Sequence, residues 1–324
     1  MSAFSEITPN QLMRLIGTRS APQIVDVCLA ENFAEDPRVI PTARRWRYDE
    51  IEDLARVNPY PEPIHPEQRA SPDRGWARSA RPGGRSGAAR RGRANWAASD
   101  GATFRGTDTE LYLTNSHFVI VCQKGKKLSH GAAALLRSQG IHAEALTGGV
   151  QGWRDAALPL IPIEHIPAPT RGTLWVTRHR PKIDRIACPW LIRRFVDPDA
   201  RFLFVPPADV HAVAEKFNAT AFDVDGAAFA HEGDRCTFDT MLARFSLNTD
   251  ALDRMARVVR AADTNQHDLA PEAAGLLALS VGLSRSYTDD TQQLDAGMAL
   301  YDALYRWARD GQGEGHDHTG GSRP

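Results

Sequence analysis

The chain lacks a dominant charge. Among its 324 residues, 39 Lys and Arg stand against 40 Asp and Glu, a formal net charge of -1. That balance excludes a globally basic nucleic-acid binder but leaves room for a local basic patch. Long apolar runs are also missing. The longest nearly apolar stretch is Ala273–Leu283, broken by Ser280. A membrane-spanning helix needs about 20 such residues, so no membrane insertion is expected. The start, Met1-Ser2-Ala3-Phe4-Ser5-Glu6, has neither the basic nor the apolar segment of a secretory signal. Cysteine is scarce: Cys28, Cys122, Cys188 and Cys236 form no Cys-x-x-Cys pair. A chain of this length buries enough core without disulfides, so reduced thiols in a cytoplasmic protein are expected.

At roughly 150 residues per domain, the length predicts two domains. Thr8 is placed to cap a helix over Pro9–Ile16, and Ile24–Val27 reads as a buried strand. Pro61–Gly106 then breaks the pattern, with nine arginines against four acids and few large apolar residues. Such a segment cannot offset its own ordering entropy and reads as a disordered, solvated insert or a nucleic-acid tether. Order resumes with the strand Phe118–Val121, a helix over Ser129–Gln139 stopped by Gly140, and a strand within Ile141–Leu146. Alternating strands and helices predict an α/β domain with a parallel sheet over residues 1–160. Four prolines in Pro159–Pro169 suggest a stiff linker at 161–171. Residues 172–310 read as a mixed α/β domain ending in helices. Strands are expected at Thr173–Thr177, Phe202–Val205 and Ala221–Val224. One late helix is marked by Leu252, Met255, Val259 and Ala262, and another by Leu294, Met298, Tyr301, Tyr305 and Ala308. Residues 311–324, with His316 and His318, read as a flexible tail.

The most informative segment is Cys122-Gln123-Lys124-Gly125-Lys126-Lys127, between a strand and a helix. A tight turn there aims successive amide N–H groups at one point and sets the cysteine beside a helix N-terminus. With the three lysines, these features favour thiolate over thiol and make Cys122 a candidate nucleophile. A buried structural cysteine with solvated lysines is the other reading. The loop, the downstream run Leu146–Trp153 (LTGGVQGW), and the Ile24–Val27 strand with Pro41-Thr42-Ala43 together resemble the rhodanese (sulfurtransferase) family. The resemblance implies a parallel-sheet α/β fold and a persulfide carried on Cys122. It also implies backbone contacts from Gln123, Lys124, Gly125, Lys126 and Lys127 to the sulfur donor. A small-molecule donor and a thiol acceptor follow, with no cofactor. Related phosphatases use Cys-x5-Arg, but position 128 is Leu. Cys28 stands where many relatives have Arg.

A second constellation, Arg178-His179-Arg180-Pro181-Lys182-Ile183-Asp184-Arg185, leaves a predicted strand. Arg178, Arg180, Lys182 and Arg185 suit a small oxyanion, or form a solvated basic turn. Farther on, His231 and Cys236 lie five apart, and Asp263 and His267 four apart. These four are candidate ligands for a transition metal, with a structural histidine and a buried cysteine as the alternative. From about Gly172 to Arg309 the text resembles the ChrB-type chromate-resistance domain. The resemblance rests on Arg180–Phe195 (RPKIDRIACPWLIRRF), Cys236-Thr237-Phe238-Asp239 and Ala270–Leu276. It implies a chromate response. The leading expectation is therefore a sulfurtransferase coupled to chromate resistance. The alternative is a chromate-sensing transcriptional regulator that binds DNA, its rhodanese half redox-sensing or inactive.

Overall fold

The computed structural model describes residues 5–57, 117–168 and 171–315. The predicted insert Pro61–Gly106, together with His316 and His318, lies outside the described residues.

The first half is built on a five-stranded sheet. Its strands are β1 (Glu6–Ile7), β2 (Gln23–Asp26), β4 (Arg44–Arg45), β5 (Phe118–Val121) and β6 (Ala143–Leu146). They run in the order β1-β6-β5-β2-β4, and each paired neighbour is parallel. All four residues of β5 are buried. This is what a central parallel strand requires, and it explains the uninterrupted Phe-Val-Ile-Val run. The helices are α1 (Pro9–Leu15), α2 (Ala30–Glu35), α3 (Ile51–Val57), α4 (Lys127–Ser138) and α5 (Gly149–Asp155). The expected cap at Thr8 is present: its hydroxyl accepts from the Gln11 amide at 3.3 Å, and the Gln11 side chain accepts from the Thr8 amide at 3.0 Å. Two orphan donors at the start of α1 are thereby satisfied, with Pro9 needing none.

The α/β layout agrees with the sequence reading, but two details differ. Helix α4 begins at Lys127, two residues before the expected Ser129, which tightens the Cys122 turn. The proline-rich segment is not a free spacer. Residues Ile161–Pro162 form β7 and pair antiparallel with β3 (Arg38–Val39). Leu160, Ile161 and Ile166 are buried, and their apolar contacts tie the segment down where proline spacing alone suggested stiffness.

The second half opens with a three-stranded parallel sheet, β10-β8-β9, made of β8 (Leu174–Arg178), β9 (Arg201–Val205) and β10 (Thr220–Ala221). Around it lie α6 (Asp184–Leu191), α7 (Val210–Phe217), α8 (Thr237–Arg244), α9 (Asp250–Asp263), α10 (Ala273–Ser286) and α11 (Asp290–Asp310). The faces expected for the late helices are the ones buried: Leu252, Met255, Val259 and Ala262 on α9, and Leu294, Met298, Tyr301, Tyr305 and Ala308 on α11.

One apolar core runs through both halves, from Ile7 to Ala308. At their junction the Thr42 amide donates to the Phe195 carbonyl at 2.8 Å. Gly17, at φ +80°, lies so close to the Phe195 and Tyr305 rings that a Cβ would collide with them. Asp302 of α11 accepts from Arg194 at 2.8 and 3.0 Å, from Trp190 Nε1 at 2.9 Å and from Arg19 of the first half at 2.9 Å.

Candidate functional site

Cys122 directly follows β5, and the chain turns within five residues to enter α4. The turn folds back on the cysteine sulfur. The Lys126 amide donates to Sγ at 3.4 Å, and the Ser129 hydroxyl lies 3.2 Å from it. Because α4 starts at Lys127, Ser129 falls in its first turn, where amide groups have no partner within the helix. Burial pushes the Cys122 thiol up. Hydrogen bonds from the Ser129 side chain and the amides of Lys126, Ser129 and Lys124 outweigh it and hold the thiol below its ordinary value.

The other three cysteines go the opposite way. Burial raises Cys28, with Asp26 adding to it, and raises Cys188 and Cys236, with Asp184 adding to both. Cys122 is therefore the one thiol of the four whose surroundings favour the anion. The side chains of Lys124, Lys126 and Lys127 are exposed, so the effective donors are the amides and Ser129, not the ammonium groups. Sequence reasoning credited the lysines and missed Ser129. A serine in the first turn of the helix that follows a loop cysteine was the available signal.

A second turn, Thr147-Gly148-Gly149, props up the first. The Val150 amide donates to the Cys122 carbonyl at 3.1 Å and the Gln151 amide to the Gln123 carbonyl at 3.0 Å. Gly125 and Gly149 both have φ near +60°. A Cβ on Gly149 would overlap the Cys122 carbonyl and the Gly125 amide, and one on Gly125 would overlap the backbone of residues 146–149. The glycines of the two motifs thus let two backbones touch, and that contact fixes where the amides point. Sγ faces into the turn, and 5% of the Cys122 surface reaches solvent.

The cations of the second constellation do not converge on an open point. Asp223 Oδ2 accepts from Arg178 at 2.8 Å and lies 3.3 Å from Arg185 Nε. Arg185 also donates to the His179 carbonyl at 2.9 Å. Arg180 and Lys182 are exposed, and the Arg180 amide donates to Asp290 at 3.0 Å. Of the four, then, two already share one buried acid.

The same acid belongs to a cluster that sequence spacing had only half located. His231 Nε2 lies 3.4 Å from Asp184 Oδ2, 3.4 Å from Asp223 Oδ1 and 3.2 Å from Asp263 Oδ2. Of the four predicted ligands, His231 and Asp263 meet here. Cys236 is buried, caps α8 and abuts Asp184. His267 lies in a short turn beyond α9 and contributes no contact to this cluster. Asp184 and Asp223 were missed because they sit 47 and 8 residues from His231, on elements that only the fold brings together. Burial raises Asp184. Burial, with the charges of Asp184 and Asp223 added, raises Asp263 to about 7. Hydrogen bonds to Asp184 and Asp223 raise His231 to about 10. At the other end of the first sheet, His117 and His142 stack with ring centroids 4.2 Å apart, and Glu144 lies 2.7 Å from His117.

Fold and site together define a two-part α/β protein with an anion-favouring cysteine at a strand-to-helix turn. Residues 175–308 match the family model described as ChrB, C-terminal domain. Protein ChrB of Cupriavidus metallidurans is 39% identical over 140 residues, which are 43% of this chain and 42% of that protein. The second half is therefore ChrB-like, and the matched region spans less than half of that relative. Solved structures similar to the chain include a rhodanese-related protein from Thermoplasma volcanium, at 12% identity and a TM-score of 0.26 over 48% of this chain and 97% of that one. A rhodanese-like domain protein from Staphylococcus aureus shares 20% identity at a TM-score of 0.26, over 46% and 90%. A protein of unknown function from Rhodopseudomonas palustris, described as a possible tyrosine phosphatase, shares 18% at 0.27, over 48% and 83%. Superpositions this loose add nothing to the fold, which rests on the sheet order and the cysteine turn.

Proposed function

We propose that the first half is a sulfurtransferase in which Cys122 carries sulfur as a persulfide. The supporting observation is the convergence of the Lys126 amide and the Ser129 hydroxyl on Sγ. Donors that hold a thiolate can equally hold the terminal sulfur anion of a persulfide. With thiosulfate as donor, the thiolate attacks the sulfane sulfur. The new S–S bond forms as the donor's own S–S bond breaks, and sulfite leaves with the electron pair. An acceptor thiolate then takes the outer sulfur and Cys122 returns as thiolate. Every step conserves charge, and none needs a metal or other cofactor. Leu128 occupies the position of a phosphatase's arginine, so the turn offers no guanidinium to a phosphate ester.

The ChrB-like half connects this chemistry to a chromate response. Since Arg178 and Arg185 are committed to Asp223, contact with a tetrahedral dianion falls to the exposed Arg180 and Lys182.

Steady-state release of sulfite from thiosulfate, with cyanide or a dithiol as acceptor, tests the sulfur reading. The wild type turns over and Cys122→Ser does not. Equal turnover in both, or none in either with several donors, contradicts it.

A further inference from the structure

The cluster around His231 asks for something the protein alone does not provide. One imidazole N–H can donate one good hydrogen bond. Here three carboxylates surround Nε2 at 3.2 to 3.4 Å, at or beyond the usual hydrogen-bond range. Asp184, Asp223 and His231 offer ligand atoms that all lie within 4.8 Å of one another. Asp184 is 1% exposed, and its Oδ1 has no hydrogen-bond partner. The oxygen facing His231 is the other one, Oδ2. A buried carboxylate with one oxygen unpartnered carries a large desolvation cost, which a cation held by that carboxylate would relieve.

The carboxylates are held in place from outside the cluster. The Thr237 amide donates to Asp184 Oδ2 at 2.6 Å and the Thr237 hydroxyl to Asp223 Oδ1 at 3.0 Å. Arg178 and Arg185 hold the far oxygen of Asp223. Asp263 Oδ1 lies 3.5 Å from the Asp184 amide, which leaves Oδ2 for the centre. Asp184 starts α6, Asp263 ends α9, and Asp223 follows β10, so three separate elements deliver one oxygen each. The His231 side chain is 42% exposed, which gives the centre a route to solvent. An oxyanion is excluded by the three carboxylates.

We infer that Asp184, Asp223 and His231, with Asp263 as a fourth ligand, form a binding site for a divalent first-row cation that favours oxygen donors, of the Mn2+ class. Three carboxylates and one imidazole match the harder end of that series. The supporting contacts from Thr237 and Arg178 serve as the outer shell that orients such ligands. The inference is independent of sulfur chemistry at Cys122.

The test uses the full chain, stripped with EDTA and titrated with Mn2+ alone while free Mn2+ is counted by electron paramagnetic resonance. Wild type takes up one equivalent. His231→Ala and Asp263→Asn each weaken that binding by about tenfold or more, as loss of a ligand or its support does. Metal-free melting curves confirm that both variants are folded, and Asp263→Asn, the milder change, preserves the test if His231→Ala is not. The inference is overturned if wild type binds no stoichiometric Mn2+, or if the variants bind as tightly as wild type. It is also overturned if binding disappears in His142→Ala instead, which would place the ion at the other histidine cluster.

Discussion

Replacing Ser129 with alanine removes one of the groups that favour the Cys122 anion while leaving the fold intact, since a small side chain in the first turn of α4 becomes a smaller one. The Ser129 hydroxyl lies 3.2 Å from Sγ and 3.2 Å from the Lys126 carbonyl. It has one proton to share between them. A hydrogen bond to a charged group contributes about 1.5–3 kcal/mol, and the shared proton puts this one at the low end. About 1.4 kcal/mol is one pKa unit, so Ser129→Ala raises the Cys122 thiol by about one unit. Below both midpoints the thiolate fraction falls about tenfold. The more basic thiolate is intrinsically more reactive, with a Brønsted slope of about 0.4–0.5, so the net alkylation rate falls about three- to fourfold. Well above both midpoints the variant reacts faster than wild type by about threefold. The assay is the pH profile of iodoacetamide alkylation, followed by intact mass with Cys122→Ser as the blank. An unchanged midpoint, or a rate lowered equally at every pH, refutes the assignment of Ser129 as a donor to sulfur.

Gly149→Ala forces a Cβ into the Cys122 carbonyl at positive φ. It should cost more than the roughly 1–2 kcal/mol of left-handed strain alone and abolish sulfite release; a variant with wild-type urea midpoint and turnover contradicts the buttress. Because so little of Cys122 is exposed, small alkylating agents should modify it much faster than bulky maleimides, and equal rates would show the turn to be open. Asp302→Asn should lower stability at pH 7 by about 1–2 kcal/mol, since it breaks a half-buried ion pair with Arg194 while the exposed Arg19 adds little. Burial opposes ionisation of Asp302, but hydrogen bonds from Arg194, Trp190 and Arg19 hold its carboxyl below the usual range. Its contribution is thus present above about pH 4 and lost as pH falls through the lower folded value, so the two urea curves should converge in acid. Arg180→Ala combined with Lys182→Ala should abolish chromate binding in a calorimetric titration; unchanged binding would place the anion elsewhere.

What the sequence revealed depended on how local each signal was. The Thr8 cap, the Phe118–Val121 strand and the apolar faces of α9 and α11 are short-range patterns, and each is found where the pattern put it. The Cys122 turn was legible for the same reason, because strand, cysteine, glycine and helix follow one another directly. Its second support was readable only as a resemblance. Nothing in the residues Thr147–Gly149 alone says that they press against Cys122 and Gly125. The histidine cluster was half legible. His231 and Asp263 stood out, but Asp184 had been seen as one acid in a basic run, and Asp223 not at all. Their role arises from the tertiary fold, which brings the start of α6, the residues after β10 and the end of α9 to one point. Lys124, Lys126 and Lys127 misled for the opposite reason. Their charge is visible in sequence, but solvent exposure, which only the fold decides, makes their contribution to Sγ small.

Persulfide chemistry at Cys122 adds one sulfur atom to one cysteine. The wild-type chain, incubated with thiosulfate under reducing-agent-free conditions, should gain about 32 Da by intact mass, the mass of one persulfide sulfur, and lose it on adding a thiol. Cys122→Ser should show no gain. A gain that persists in Cys122→Ser, or no gain in wild type with thiosulfate or any other sulfane donor, contradicts the account.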